Sequence, residues 1–142
     1  MCDDGERYPV LNGIPDLVVD DGRTALRVDR LARLAELEGR HFWFAGRAAL
    51  VGELLRATLL EPATVLDAGC GNGRLLAALA ADGHRAIGVD LLADGLDRAR
   101  RWAPGACVAR ASVDRLPFAD MAFDAVVLLD VLEHVDDRAA LA

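Results

Sequence analysis

No uninterrupted apolar stretch in this sequence reaches the ~18 to 20 residues that a membrane-spanning helix requires, because charged residues break every candidate. The first residues, Met1-Cys2-Asp3-Asp4-Gly5-Glu6-Arg7, are acidic and lack the basic region and apolar run of a secretory signal. A soluble cytoplasmic chain without a membrane partner is expected. Basic charge is scarce as well: 16 basic against 23 acidic residues give a net charge of -7. Such a surface repels a phosphate backbone, so nucleic acid is not expected as a partner. Cysteine is limited to Cys2, Cys70 and Cys107, odd in number and without paired spacing. That pattern supports neither a disulfide framework nor a zinc site, and no metal is expected. What is plentiful is apolar character, 54% over 142 residues, enough for the core of one modest domain.

Three regions follow from the patterning. Residues 1–22 carry turn chemistry at Pro9, Asn12-Gly13, Pro15 and Asp21-Gly22 and predict a small hairpin-like appendage. Residues 23–62 predict helices. In the first, Asp29 caps a run with Leu31, Leu34 and Leu37 on one side and Gly39 as the stop. The second follows His41-Phe42-Trp43-Phe44, with Leu50, Val51, Leu54 and Leu55 at helical spacing and an end before Pro62. From residue 63 onward short apolar runs alternate with helical stretches. Strands are expected at Thr64–Leu66, Arg85–Val89, Ala106–Ala109 and Phe123–Leu129, and helices at Arg74–Ala81 and Gly95–Trp102, the latter with Leu96, Ala99 and Trp102 to Ala103 on one face. Alternation of this kind means an α/β fold with a Rossmann-like parallel sheet and right-handed crossovers. The fourth run is apolar on both faces, as suits a strand covered on both sides.

The sharpest local feature is Val65-Leu66-Asp67-Ala68-Gly69-Cys70-Gly71-Asn72-Gly73, a strand entering a glycine-rich turn that opens a helix. Glycines let a ligand approach the backbone, and the helix start offers free N–H groups. Asp90 lies near the ~20-residue offset at which a carboxylate reaches the ribose hydroxyls in dinucleotide folds. A nicotinamide fingerprint asks for a third glycine where this chain has Arg74, and Asp67 at the mouth of the loop repels a pyrophosphate. No Gly-Lys-Ser or Gly-Lys-Thr follows, which excludes a P-loop. The loop suits a ribosyl ligand with an ammonium, a sulfonium and no phosphate, which describes S-adenosylmethionine.

Together with Gly88-Val89-Asp90-Leu91, Leu116-Pro117-Phe118, Phe123-Asp124 and Leu132-Glu133-His134, this segment resembles the class I S-adenosylmethionine-dependent methyltransferases of the type 11/12 group. The resemblance implies that Gly69, Gly71 and Gly73 pack under the methionine moiety with Cys70 and Asn72 between them. Asp67 then orients the loop and the ammonium, Asp90 holds the ribose, Leu91 lies on the adenine, and Ser112 and Val113 meet its polar edge. Many relatives carry Asp where Ser112 stands; Asp114 lies two residues late and is expected in solvent. Leu129 and Asp130, at the end of the fourth strand, and Arg47 complete the candidate cofactor-binding set. Arg47 is either the cation for the methionine carboxylate or a solvated helix charge.

Glu133-His134 reads as a base or substrate contact, or as a helix start with a packed histidine. Asp130, Glu133, His134, Asp136 and Asp137 read as a solvated acidic helix start rather than a metal cluster. Phe42, Trp43 and Phe44 are expected in core or lid packing, and His84 has no assigned function. Tyr8-Pro9-Val10 to Asn12-Gly13-Ile14-Pro15-Asp16-Leu17 resembles the tail of a small zinc ribbon that precedes some methyltransferases, with only Cys2 as a possible ligand. The resemblance also implies further strands after the fourth. This stretch is therefore expected to be an incomplete core, weak in cofactor binding, inactive by itself and prone to self-associate. Methyl transfer to a small-molecule acceptor is the expected activity. A non-catalytic cofactor-binding or regulatory module and a nicotinamide-dependent oxidoreductase remain as alternatives.

Overall fold

The computed structural model describes residues 7–18, 42–59 and 62–135. The helix expected around Leu31, Leu34 and Leu37, and with it Cys2, His41, Asp136 and Asp137, lies outside the described residues.

The expected hairpin is present as β1 (Val10–Leu11) and β2 (Ile14–Pro15), paired antiparallel. Asn12 and Gly13 sit between them with φ of 52° and 79°, the pair of left-handed residues that a two-residue hairpin turn requires. Helix α1 runs Phe42–Thr58, followed by β3 (Thr64–Ala68), α2 (Arg74–Ala81), β4 (Arg85–Asp90), α3 (Ala93–Trp102), β5 (Cys107–Arg110) and β6 (Ala125–Val127), with a 3-10 turn at Leu132–His134. The four later strands form one parallel sheet in the order β5-β4-β3-β6. The chain works outward from β3 to β5 and then returns to the other side of β3. That reversal makes the carboxyl ends of β3 and β6 a topological switch point, the kind of crevice at which ligands bind in open α/β sheets.

Two apolar layers hold the sheet. On one face Val65 and Val127 pack with Leu75, Leu76 and Leu79 of α2, Leu96 and Ala99 of α3, and Val51 and Leu55 of α1. On the other, Leu66, Ala68, Val89 and Ala109 pack with Leu17, Tyr8, Phe118 and Phe123. Leu66, Leu76, Leu79 and Leu96 are fully buried, each stabilising the fold by ~1.5 to 3 kcal/mol. The hairpin segment joins this architecture: Ile14 and Leu17 are buried, and the Leu17 N–H donates to the Arg110 carbonyl on β5 at 2.7 Å.

Three expectations about packing are corrected. Phe42 and Trp43 are not core residues; they begin α1 and are 80% and 59% exposed, and Leu50 and Leu54 are exposed too, beside the face that Val51 and Leu55 bury. Trp102 does not share the buried face of Leu96 and Ala99; it is 55% exposed, with the Arg74 guanidinium over its ring. The fourth strand is shorter than expected. Phe123 turns edge-on to Phe118, Asp124 accepts from the Thr64 N–H at 2.7 Å, and pairing with β3 begins only at Ala125. Val126 is half exposed, so the expected cover on both faces is not met there. Among the described residues no helix is long and apolar enough to cross a membrane.

Candidate functional site

The glycine loop sits at the crevice and is built by positive φ values. Gly69, Gly71 and Gly73 have φ of 90°, 51° and 81°, a region that side chains make costly. The N–H groups of Gly69 and Cys70 both donate to the Val89 carbonyl, at 2.8 and 3.0 Å, and anchor the loop to β4. The three glycines do not play one role. A Cβ on Gly73 would lie 2.6 Å from Ala99 Cα, and one on Gly69 would lie 2.3 Å from Val131 Cγ2. Gly73, which caps α2, packs closely against α3. Gly69 marks where the segment after β6 crosses the loop.

Two carboxylates lie beneath this loop. Asp67 is not at the mouth, as expected from sequence, but 2% exposed within β3. Among the described residues it has no hydrogen-bond or ion-pair partner. Burial first, and the charge of Asp90 second, push its pKa up to about 7. Asp90, at the end of β4, accepts from the Gly71 N–H at 2.9 Å through Oδ2 and from the Leu92 N–H at 2.8 Å through Oδ1. Burial raises its pKa, and the N–H groups of Leu92, Gly71 and Leu91 oppose the rise. Each Asp90 oxygen accepts one N–H and retains further acceptor capacity. The Cys70 thiol is buried and pushed up by desolvation and by both carboxylates, so it is an inert packing group.

The remaining candidates fall around this centre. Leu91 is 6% exposed. Ser112 Oγ is 3.2 Å from Asp114 Oδ2. Asp114 is half-buried rather than in solvent, because the turn from Ser112 to Arg115 closes on itself. Val113 packs with the second apolar layer. Asn72 accepts from Arg98 of α3 at 3.1 Å and ties the loop to that helix. Leu129 packs on the first layer, and Asp130 turns the chain out of β6 with φ of 53°. Arg47 is not a solvated charge: its side chain is 21% exposed and ion-paired with Asp130. That pair joins α1 to the strand end beside the crevice. His84, without an expected role, accepts from the Ala63 N–H at 3.1 Å through Nδ1.

Sequence reasoning gave no role of their own to Arg110, Gly88 and Gly95. A Cβ on Gly95 would lie 3.0 Å from the Gly71 carbonyl, and one on Gly88 would lie 2.9 Å from Cys70 Sγ. A glycine inside a strand or a helix is the trace such close approaches leave in a sequence. Arg110 leaves none. Among the described residues no three His, Cys, Asp or Glu side chains group so as to hold a metal.

Residues 66–142 match the family model of a methyltransferase domain. The chain is 35% identical over 114 residues to the ubiquinone biosynthesis O-methyltransferase of Methylocella silvestris, covering 78% of this chain and 43% of that protein. It thus spans less than half the length of the curated relatives it matches. Among solved structures, the PH0226 protein of Pyrococcus horikoshii superposes with a TM-score of 0.62 at 25% identity, over 70% of this chain and 49% of that one. A SAM-bound amino pentose methyltransferase of Micromonospora echinaspora gives 0.54 at 28% identity, over 70% and 41%. Neither the nicotinamide-dependent alternative nor the non-catalytic one gains support from these matches.

Proposed function

The chain belongs to the class I S-adenosylmethionine-dependent methyltransferases, and from that premise we propose that it binds S-adenosylmethionine in the crevice between β3 and β6 and serves methyl transfer to a small-molecule acceptor. The observation that carries this reading is Asp67, a buried carboxylate without a partner among the described residues, beside a glycine loop and a second carboxylate. Two carboxylates repel a pyrophosphate and favour a ligand bearing positive charge.

On this reading Asp67 balances the ammonium of the ligand, and Asp90 accepts from its ribose hydroxyls with the lone pairs left after Gly71 and Leu92. The N-terminus of α2 offers N–H groups to the carboxylate. Arg47 contributes by holding Asp130 and α1 at the rim. Leu91 and Val113 supply apolar surface, and Ser112 a polar edge, for the adenine. The bound cofactor supplies an electrophilic methyl on a sulfonium. The protein's part is to place an acceptor in line with it, and positioning of this kind accounts for much of the barrier reduction. A small acceptor fits an acidic chain of net charge -7, and relatives named for ubiquinone biosynthesis and for an amino pentose act on small molecules by their names.

Photocrosslinking with methyl-labelled S-adenosylmethionine tests the reading. Label is expected on the protein, displaced by S-adenosylhomocysteine and not by NAD. Absence of displaceable label would contradict it. Incubation of the labelled cofactor with a small-molecule extract, followed by mass spectrometry, then identifies the acceptor.

A further inference from the structure

The N-terminal hairpin is attached to the rest of the fold by apolar and backbone contacts, and Arg100 of α3 donates to the Asn12 carbonyl in its turn at 2.9 Å. Ile14 and Leu17 are buried, and the Leu17 N–H reaches the Arg110 carbonyl. The Arg110 guanidinium makes two further contacts. Its Nη1 lies 2.9 Å from Asp16 Oδ2, and its Nε donates to the Leu91 carbonyl at 3.0 Å. Both partners of the ion pair are largely enclosed, with side chains 26% and 12% exposed.

The Leu91 carbonyl shares one planar peptide unit with the Leu92 N–H. That N–H holds Asp90 Oδ1 at 2.8 Å, while Asp90 Oδ2 holds the Gly71 N–H at 2.9 Å. A continuous chain of hydrogen bonds therefore runs from Asp16 through Arg110, the Leu91–Leu92 peptide and Asp90 to the glycine loop.

We propose that Arg110, clamped by Asp16, is a positioning residue for the cofactor: by gripping the Leu91 carbonyl it fixes the peptide plane that aims the Asp90 carboxylate at the ribose. This rests on Asp90 being the ribose acceptor. Arginine suits the task because its planar fork serves a carboxylate and a carbonyl at once, in fixed relative directions. Lysine keeps the charge but presents a compact head on a flexible stem. The hairpin thereby acts on the cofactor pocket, although none of its side chains is among the candidate cofactor contacts.

Calorimetric titration of the full chain with S-adenosylhomocysteine and with adenosine, for wild type, Arg110→Lys and Asp16→Asn, tests the inference. Arg110→Lys is expected to weaken both ligands by about 3- to 10-fold, the range of one hydrogen bond. Asp16→Asn is expected to act in the same direction by less, and the double variant to add little to Arg110→Lys. Adenosine carries only the ribose and base, so an equal loss on it places the effect at Asp90. The unliganded melting midpoints are expected to stay close to wild type, because the backbone bond and apolar anchors remain. Unchanged affinities in variants of a wild type that binds overturn the proposal. So do losses that track a fall in melting midpoint, which mark a merely structural clip. A wild type that binds neither ligand overturns the cofactor reading and this inference with it. Asp16→Asn is isosteric and keeps the test decisive should Arg110→Lys fail to fold.

Discussion

Replacing Asp67 by asparagine is expected to stabilise the unliganded fold at neutral and alkaline pH. The carboxyl is 2% exposed, and its pKa rises from 3.8 to about 7 through burial and the neighbouring Asp90 charge. In the unfolded chain it ionises at the ordinary value. Between the two values the folded state holds the proton more tightly, so stability falls as pH rises through that window and the penalty is complete above about pH 7. A shift of about three pH units corresponds to a penalty on the order of 4 kcal/mol. Asparagine has the shape of the acid without its charge. Asp67→Asn should match wild type near pH 4 and exceed it by up to about 4 kcal/mol at pH 8. For a domain of this size, that raises the melting midpoint by about 10 °C. Thermal melts of both proteins, without ligand, across pH 4 to 8 measure the difference. Equal midpoints at pH 8, or a variant less stable throughout, would refute the reasoning. A carboxylate that weakens its own fold is what a binding site retains when the ligand supplies the missing charge.

The same group predicts how affinity varies with pH. A cationic ligand needs Asp67 ionised, so S-adenosylmethionine affinity should be level above about pH 7 and fall by up to about tenfold per pH unit below it. Asp67→Asn should show a flat profile by calorimetry, and a flat wild-type profile would exclude the linkage. Two glycines with nearly equal φ separate strain from packing: Gly83, at 84°, has nothing within 4 Å of where a Cβ would stand, whereas Gly73, at 81°, has Ala99 Cα at 2.6 Å. Gly83→Ala should cost about 1 to 2 kcal/mol and Gly73→Ala at least about 3 kcal/mol, read by urea denaturation. Equal costs would show that Gly73 is not a packing glycine.

Much of the alternating core is legible in the sequence. The bounds of α2 coincide with the span that Leu75, Leu76 and Leu79 and the Gly83 stop define, because a short amphipathic helix declares its buried face locally. The glycine loop and Asp90 are legible for the same reason, since strand, turn and helix follow one another in the chain. Depth and long-range pairing are not. Periodicity marks apolar faces on α1 without saying which is covered, and Val51 and Leu55 are packed while Leu50 and Leu54 remain exposed. Asp67 reads as a loop-mouth residue because nothing local reveals how deeply it is buried within its strand. The Arg47–Asp130 pair and the contact of Asp16 with Arg110 join residues far apart in sequence, and neither partner carries a local pattern that points to the other.

The most direct test of the central claim is calorimetric titration of the chain, and of Asp90→Ala, with S-adenosylhomocysteine and with NAD. The account predicts binding of S-adenosylhomocysteine with no response to NAD, and a loss of about 1.5 to 3 kcal/mol in the variant, the range for a hydrogen bond to a charged group. Binding of NAD in preference, or an unchanged affinity for S-adenosylhomocysteine in a folded Asp90→Ala variant, would contradict it.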